Sequence, residues 1–492
     1  MQFPLLSIII FLPLVAGIAI LLMPAHRRDM IRWTALIASV LTLMLTLAMY
    51  ANYAIEAGDF QFVEGPYPWL PQLGISYYLG VDGISTPMML LGALVVAFGV
   101  MVSWNVEERP REFFAFIMFL GTSVLGVFAS LDLFLLFFFF ELAVFPKYLM
   151  IANWGAPKTR NYGAMKLTLY LFLGSVIALV GVLAMYFSTG LGTFNMLAIE
   201  QAGVPLDVQR WAFPVAFLGF AILGGIFPFH SWAPDGHVAA PTAVSMLLAG
   251  VEMKVGAFAA LRVAIALMPE GAKEWAWLIL ALATVNVVYG ALIALVQTDF
   301  KYVIGFSSVS HMGLVLIGFA TLNREGLIGA GMQMFSHGVM TALFFAVVGM
   351  VYDRTHTREL ANLGGLFRKM PYAAVGFIVA GLVSMGMPGF SGFAAEFPIF
   401  MGAWQVAPWV AIVAILGVIV TAGYILLVIR RVFFGDLPAK YEKEVGNISL
   451  LDKIVVVSLS VIMIAIGMFP HALMAGMVES GVNRILALVG GA

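Results

Sequence analysis

Fourteen stretches of about 20 residues in this sequence are apolar enough to cross a hydrocarbon core of about 30 Å as single helices. That feature decides the fold class, because in lipid every backbone N–H and C=O must be satisfied internally, and a helix does this within one segment. The stretches run over 3–23, 31–53, 84–104, 113–129, 132–151, 162–188, 211–234, 240–266, 275–296, 302–321, 327–351, 371–403, 409–433 and 452–477. The chain reads as an all-α integral membrane protein. Of its 492 residues 62% are hydrophobic and 10% charged, against about half and a quarter in a soluble domain. A soluble enzyme is excluded. With 25 basic and 26 acidic residues there is no basic excess for nucleic acid, and no glycine-rich loop follows a strand pattern to cradle a dinucleotide. Without cysteine the chain offers no thiolate to an iron–sulfur cluster and forms no disulfide. The first stretch lacks a basic start and a small-residue exit, so it reads as a retained helix rather than a cleaved signal.

Lysine and arginine are retained on the cytoplasmic side, which orients the bundle. With the N-terminus outside, only Arg210, Lys273, Arg324 and Arg484 fall outside. Lys147, Lys166, Lys254 and Arg262 lie within spans, and all other basic residues fall inside. Both termini are then expected on the outer face. The loop from Ala51 to Tyr78, with Glu56, Asp59 and Glu64 and no basic residue, suits that side.

Two spans are interrupted by glycine and proline: the seventh at GGIFPFHSWAPDGH (224–237) and the twelfth at GMPGFSGFAAEF (386–397). They lie five spans apart, the spacing of two five-helix repeats, and an odd number of helices gives the second repeat the opposite orientation. Paired broken helices in inverted halves point to an ion site, because unwound backbone survives at membrane depth only beside a cavity or other protein. The expected organisation is three helices over 1–111, a first repeat over 112–270, an inverted second repeat over 271–436 and a C-terminal transmembrane helix within 437–492.

Ionisable groups inside the bilayer cost at least about 2.5 to 3.5 kcal/mol each on insertion scales, so each needs a partner, a cavity or a changed protonation state. Here they are few: Glu141 and Lys147 in the fifth span, Lys166 in the sixth, Glu252 and Lys254 in the eighth, Glu396 in the twelfth. His311 and His337 add groups that titrate near neutrality in the tenth and eleventh. Brought together, these helices would line up alternating acids and bases. Burial disfavours charge and pairing restores it, so opening one pair changes the proton affinity of the next. The plainer reading makes each charge a structural pair or a snorkelling side chain, and at Lys147, near the inner end of its span, snorkelling is the stronger reading. Glu252 and Lys254, two residues apart, point to different helix faces, which leaves the role of Glu252 open. His230 and His237 flank the broken seventh span and are placed to order water at a cavity mouth. A metal site is not expected, since their spacing of seven is completed by no further cluster.

Five segments follow one another in order: FPFHSWAPDGHVAAPTA, LLAGVEMKVGAFAALR, QTDFKYVIGFSSVSHMG, HTRELANLGGL and GMPGFSGFAAEF. They resemble the antiporter-like, proton-pumping subunit M (chain 4 type) family of respiratory complex I, the NADH:quinone oxidoreductase. The likeness extends over nearly the whole chain. Within it, SSVSHMG, the twelfth-span glutamate and the lack of a long C-terminal lateral helix favour type M over types L and N.

The resemblance implies fourteen spans with two inverted five-helix repeats. It assigns Glu141 as the acid of a Glu–Lys pair, Lys254 as the eighth-span lysine and Glu396 as the glutamate serving the outer proton exit. It also sets His311 and His337 along a hydrated polar axis. The expected proton pathway is Glu141, Lys254, Glu396, His311, His337, Lys166 and His230. NADH, FMN, iron–sulfur clusters and quinone are expected in partner subunits, with no cofactor or metal in this chain. The partners implied are the L and N type subunits, membrane lipid and the peripheral redox arm, in a bacterial inner membrane. One departure matters. The family usually places a lysine seven residues before the histidine of its seventh-span motif, and here that position is Leu223. Alternatives that share these features are a subunit of a multisubunit cation/proton antiporter, a subunit of an energy-converting hydrogenase, and a purely structural spacer, which Leu223 makes more credible.

Overall fold

The computed structural model describes residues 3–490. Among them, fourteen helices are long and apolar enough to cross a membrane, and one small antiparallel sheet accompanies them. The first two passes are α1 (Leu5–Leu22) and α2 (Arg28–Ala51). Residues 52–84 then fold over the bundle end as β1 (Gln61–Leu70) and β2 (Ile75–Val81), in a register that pairs Gln61 with Val81 and Leu70 with Ile75. Passes three and four are α3 (Ser85–Val102) and α4 (Pro110–Ala129). The fifth is split into α5 (Leu133–Leu142) and α6 (Val144–Trp154). The sixth is α7 (Arg160–Thr189), which the short α8 (Met196–Ala202) follows.

The seventh pass is α9 (Leu206–Gly224), an unwound stretch and α10 (Trp232–Ala239). The eighth runs over Thr242–Ile265, where α11 (Thr242–Leu247) and α12 (Met253–Ala259) alternate with two wider π-helical segments, Leu248–Glu252 and Ala260–Ile265. Passes nine to eleven are α13 (Pro269–Val296), α14 (Phe300–Thr321) and α15 (Arg324–Thr355). The twelfth is again split, into α16 (Pro371–Ser384) and α17 (Ser391–Val406). Then come α18 (Pro408–Phe433), the short α19 (Tyr441–Glu444), α20 (Leu450–Met468) and α21 (Gly476–Val489).

The last region differs from the expected single helix within 437–492. The pass predicted over 452–477 stops at Met468, and a further helical stretch, His471–Val489, follows. At its start the Leu473 carbonyl accepts the Tyr50 hydroxyl; near its end Arg484 pairs with Asp59 at 2.9 Å and Glu200 at 2.7 Å. Tyr50, Asp59 and Glu200 lie at or beyond the same end of the bundle, so this helix runs along one face instead of crossing. Its sequence explains why: Val478, Val482 and Ile485 are buried while Arg484 turns to the loops. The split twelfth pass takes the place this helix leaves, and fourteen passes remain.

Burial sorts the passes. The apolar windows of the eighth and eleventh are 100% buried, against 33% for α2, α18 and α20. The charged sequence positions in passes eight, ten and eleven therefore sit on central helices, and the outer ring meets lipid with side chains such as Leu169, Phe172 and Ile419.

One buried pair pins the start of α3 to the eighth pass. Arg262 donates to Asp82, and its guanidinium lies over the Phe60 and Phe258 rings. Burial alone would raise the Asp82 carboxyl, but Arg262 and the Ser85 hydroxyl and N–H hold it below its ordinary value. A lowered folded-state value means the pair stabilises at neutral pH and that this contribution is lost as pH falls through the lowered value. Arg262→Ala leaves a buried carboxylate unpaired and is expected to destabilise by about 3–5 kcal/mol. A thermal melt in detergent at neutral pH reads this loss, and an unchanged melt would contradict it.

Candidate proton-transfer site

The breaks in the helices are built from residues that cannot continue them and neighbours that satisfy the freed backbone. In the seventh pass Gly225 adopts φ +81, and Pro228 lacks an N–H to rejoin the helix. Asn286 of α13 repairs the gap: its Nδ2 donates to the Gly225 carbonyl at 2.8 Å, and its Oδ1 accepts the Phe227 N–H at 2.5 Å. Beyond the break, the C-terminal carbonyls of α10 are held by cations. Arg358 donates to the Val238 carbonyl at 2.8 Å and Lys301 Nζ to the Ala240 carbonyl at 2.6 Å, at the end where a helix dipole favours positive charge. In the twelfth pass Gly386 (φ +63) and Gly389 (φ +89) flank Met387 and Pro388 between α16 and α17.

The twelfth-pass break carries the best-ordered cluster. Glu396 Oε1 lies 3.1 Å from His311 Nδ1 and accepts from Gln333 Nε2 at 3.1 Å. His311 Nε2 lies 2.9 Å from Ser384 Oγ, the last residue of α16. Both Glu396 and His311 are 2% exposed. Glu396 Oε2 has no partner among the described residues and faces Gly386, where a side chain would come within 2.9 Å of it. The ring of His337 stands 5.3 Å from that of His311, and both its nitrogens are buried without a partner among the described residues.

Lys254 lies on the eighth pass, fully buried, with its ammonium donating to the Ala249 carbonyl one turn back in the π-helical segment. Glycine brings its helix against the histidine helix: a side chain at Gly250 would stand 3.3 Å from the carbonyl of Gly338, which adjoins His337. On the other side, α12 packs against α9 at Leu223, which is 3% exposed. The position at which the resembling family carries a lysine is thus filled by an apolar side chain in contact with the helix of Lys254.

Glu141 ends α5 partly buried, and its Oε1 is enclosed without a partner among the described residues. The helix is interrupted at Ala143, and Pro146 lacks the N–H that would bond the Leu142 carbonyl. Past this break Lys147 does not snorkel as expected. It is 1% exposed and donates to Glu252 Oε2 at 2.6 Å. The eighth pass meets this side of α6 inside the bundle, so the distance of Lys147 from the span end is a poor guide to its environment.

Lys166 and His230 lie on the flank of this line, and His237 packs against the helix of His337. Lys166 pairs with Asp235 at 2.6 Å, and Asp235 also accepts the Tyr302 hydroxyl at 2.9 Å, at a partly exposed flank. His230 is buried against Phe227 and Tyr289, with ring separations of 5.6 and 5.1 Å. His237 is fully buried beside Phe345 at 5.0 Å. A cavity of about 570 Å³, lined by Lys301, Arg358, His356, Asp353 and Ala240 among others, opens beside the C-terminal end of α10. Sequence reasoning missed Gln333, Ser384 and Lys301. Gln333 had a usable signal, being polar in an apolar span four residues before His337 and so on the same helix face.

Comparison with known proteins places this geometry. The family model described as NADH:quinone oxidoreductase/Mrp antiporter, TM matches residues 130–422, a range that holds every residue of the polar line. The chain is 38% identical over 482 residues to the NADH-quinone oxidoreductase subunit M of Rhodobacter capsulatus, covering 95% of this chain and 93% of that one. It is 37% identical over 478 residues to an NAD(P)H-quinone oxidoreductase chain 4 of Thermosynechococcus vestitus, covering 95% and 89%. Among solved structures it superposes on a chain of respiratory complex I from Thermus thermophilus with a TM-score of 0.90 at 30% identity, covering 99% of this chain and 100% of that one. A chain of an Mrp complex from a Dietzia species shares the fold, with a TM-score of 0.87 at 20% identity and coverage of 99% and 100%. A family-model match across the polar line, 38% identity to a relative over 95% of the chain and a shared fold together make this chain a member of the NADH:quinone oxidoreductase/Mrp antiporter transmembrane family.

Proposed function

We propose that this chain is a membrane-arm subunit of an NADH:quinone oxidoreductase and moves protons across the membrane, driven by electron transfer to quinone in partner subunits. The observation that carries the reading is the buried line of Lys254, His337 and His311 on central helices with Glu396 at the twelfth-pass break, none more than 2% exposed. Ionisable groups held at such depth mark proton or ion pathways by default. The likeness to type M subunits supports the choice of enzyme over the antiporter, whose solved relative is the more distant in sequence.

Glu396 and His311 suit the outer end of the path. An ionised Glu396 accepts only, so His311 carries its proton on Nδ1 and its Nε2 accepts from the Ser384 hydroxyl. A protonated Glu396 can donate to Nδ1 instead, and then Nε2 carries the ring proton toward Ser384. One proton passed along this pair exchanges the two tautomers, with the free Oε2 at the helix break as the point of release. Glu141 and Lys254 stand at the other end of the line, with Lys166 and His230 on its flank.

In this reading NADH, FMN, iron–sulfur clusters and quinone bind to partner subunits, and this chain holds none of them. It packs beside L and N type subunits and lipid below a peripheral redox arm, in a bacterial inner membrane with both termini outside. The two five-helix repeats are 112–270 and 271–436, each with its broken helix. The asymmetry of basic residues supports the orientation. Glu396→Gln tests the exit: redox-driven acidification by vesicles carrying the assembled complex is expected to fall by about ten-fold or more. Normal acidification with Gln at 396 would contradict it.

A further inference from the structure

The Lys147–Glu252 pair lies outside the line described above, and nothing in the likeness to type M subunits assigns it. It joins α6 to the eighth pass across 105 positions of sequence, with side chains 2% and 1% exposed. A buried ion pair of this kind adds little net stability over apolar side chains of the same size, so its presence asks for another reason.

Three features point to one. The first is position 223, which lies against the helix of Lys254 and carries no charge. The second is the supply of acceptors: Glu252 Oε1 and Glu141 Oε1 are both buried without a partner among the described residues, so each carboxylate has an oxygen to spare for an ammonium that has three donors. The third is nearness in the chain: Lys147 follows Glu141 by six residues, with the interruption at Ala143 between them.

We propose that Lys147 is a positioning charge shared between Glu252 and Glu141, and that it supplies the cation missing at Leu223. This rests on the proton-translocation reading above. While Glu141 is protonated and neutral, Lys147 stays on Glu252, as the structure holds it. When Glu141 releases its proton, the new carboxylate draws the Lys147 ammonium and the contact with Glu252 opens. Glu252, the last residue of the π-helical segment, is left as an unpaired anion two residues before Lys254 and favours the charged form of that lysine. Lys147 keeps its three protons throughout, and only hydrogen bonds are exchanged.

The test uses the whole complex in native membrane vesicles and reads assembly, quinone reduction with uncoupler, and protons moved per electron. The reversed pair, Lys147→Glu with Glu252→Lys, keeps a buried ion pair but faces Glu141 with an acid. The neutral pair, Lys147→Met with Glu252→Gln, removes both charges at similar volume and serves where the reversal does not assemble. In either variant protons per electron are expected to fall by about five-fold or more with the complex intact. Wild-type stoichiometry in an assembled variant, beside a Glu141→Gln control that fails to pump, would overturn the relay and leave the pair structural. Wild-type stoichiometry in the Glu141→Gln control as well would overturn the underlying reading of the line.

Discussion

Lys254→Met is expected to stop most redox-driven proton movement while leaving the thermal stability of the assembled complex unchanged or higher. The lysine is fully buried, and its hydrogen-bond partner is a backbone carbonyl rather than a carboxylate. Methionine fills a similar volume without charge, so the replacement relieves the cost of holding an ammonium at membrane depth. A residue that weakens the fold where it sits is explained by what it does there. Loss of a positioned acid–base group costs about a hundred-fold or more in proton transfer, and other paths set the floor. Acidification and a melting curve on the same preparation separate the two roles. A fall in melting temperature in step with the loss of pumping would make Lys254 structural.

The second large effect is expected at Glu141. Gln replaces a carboxylate oxygen by an amide nitrogen of nearly equal size, so the packing of α5 is kept while the proton site is lost. Protons moved per electron are expected to fall by about ten-fold or more. The wild-type Oε1 has no partner among the described residues, so no structural hydrogen bond at that atom is broken by the change. Unchanged stoichiometry with normal assembly would remove Glu141 from the pathway.

Most of the bundle is legible in the sequence, because each pass must bury its own backbone polar groups and so announces itself as a long apolar run. The breaks in passes seven and twelve are legible for a local reason as well: Gly225, Pro228, Gly386 and Gly389 cannot be read as continuous helix. The lateral helix His471–Val489 is not. Its first residues extend the apolarity of α20 with only Phe469 and Pro470 between the two, so an amphipathic helix lying along a face looks like the tail of a crossing one.

The polar site divides in the same way. Glu396, His311, His337 and Lys254 stand out as charged or titratable residues in apolar spans, and the fold brings the first three together. The partner of Lys147 is invisible from sequence, because pairing across 105 positions depends on which helices touch. The snorkelling reading of Lys147 rests on its distance from the span end, and the carboxylate of Glu252 on a neighbouring pass decides its environment instead. Lys166 and Asp235 were both visible, but only the packing of α10 against α7 makes them a pair.

The most direct test of the central claim is to isolate the tagged chain in gentle detergent, identify its companions by mass spectrometry and reconstitute the same sample into vesicles. The account predicts flavin and iron–sulfur subunits bound to it, NADH:quinone reductase activity, and proton movement that starts with NADH and stops with an uncoupler. Recovery of small membrane subunits alone, with sodium-dependent proton exchange that needs no electron donor, would contradict it.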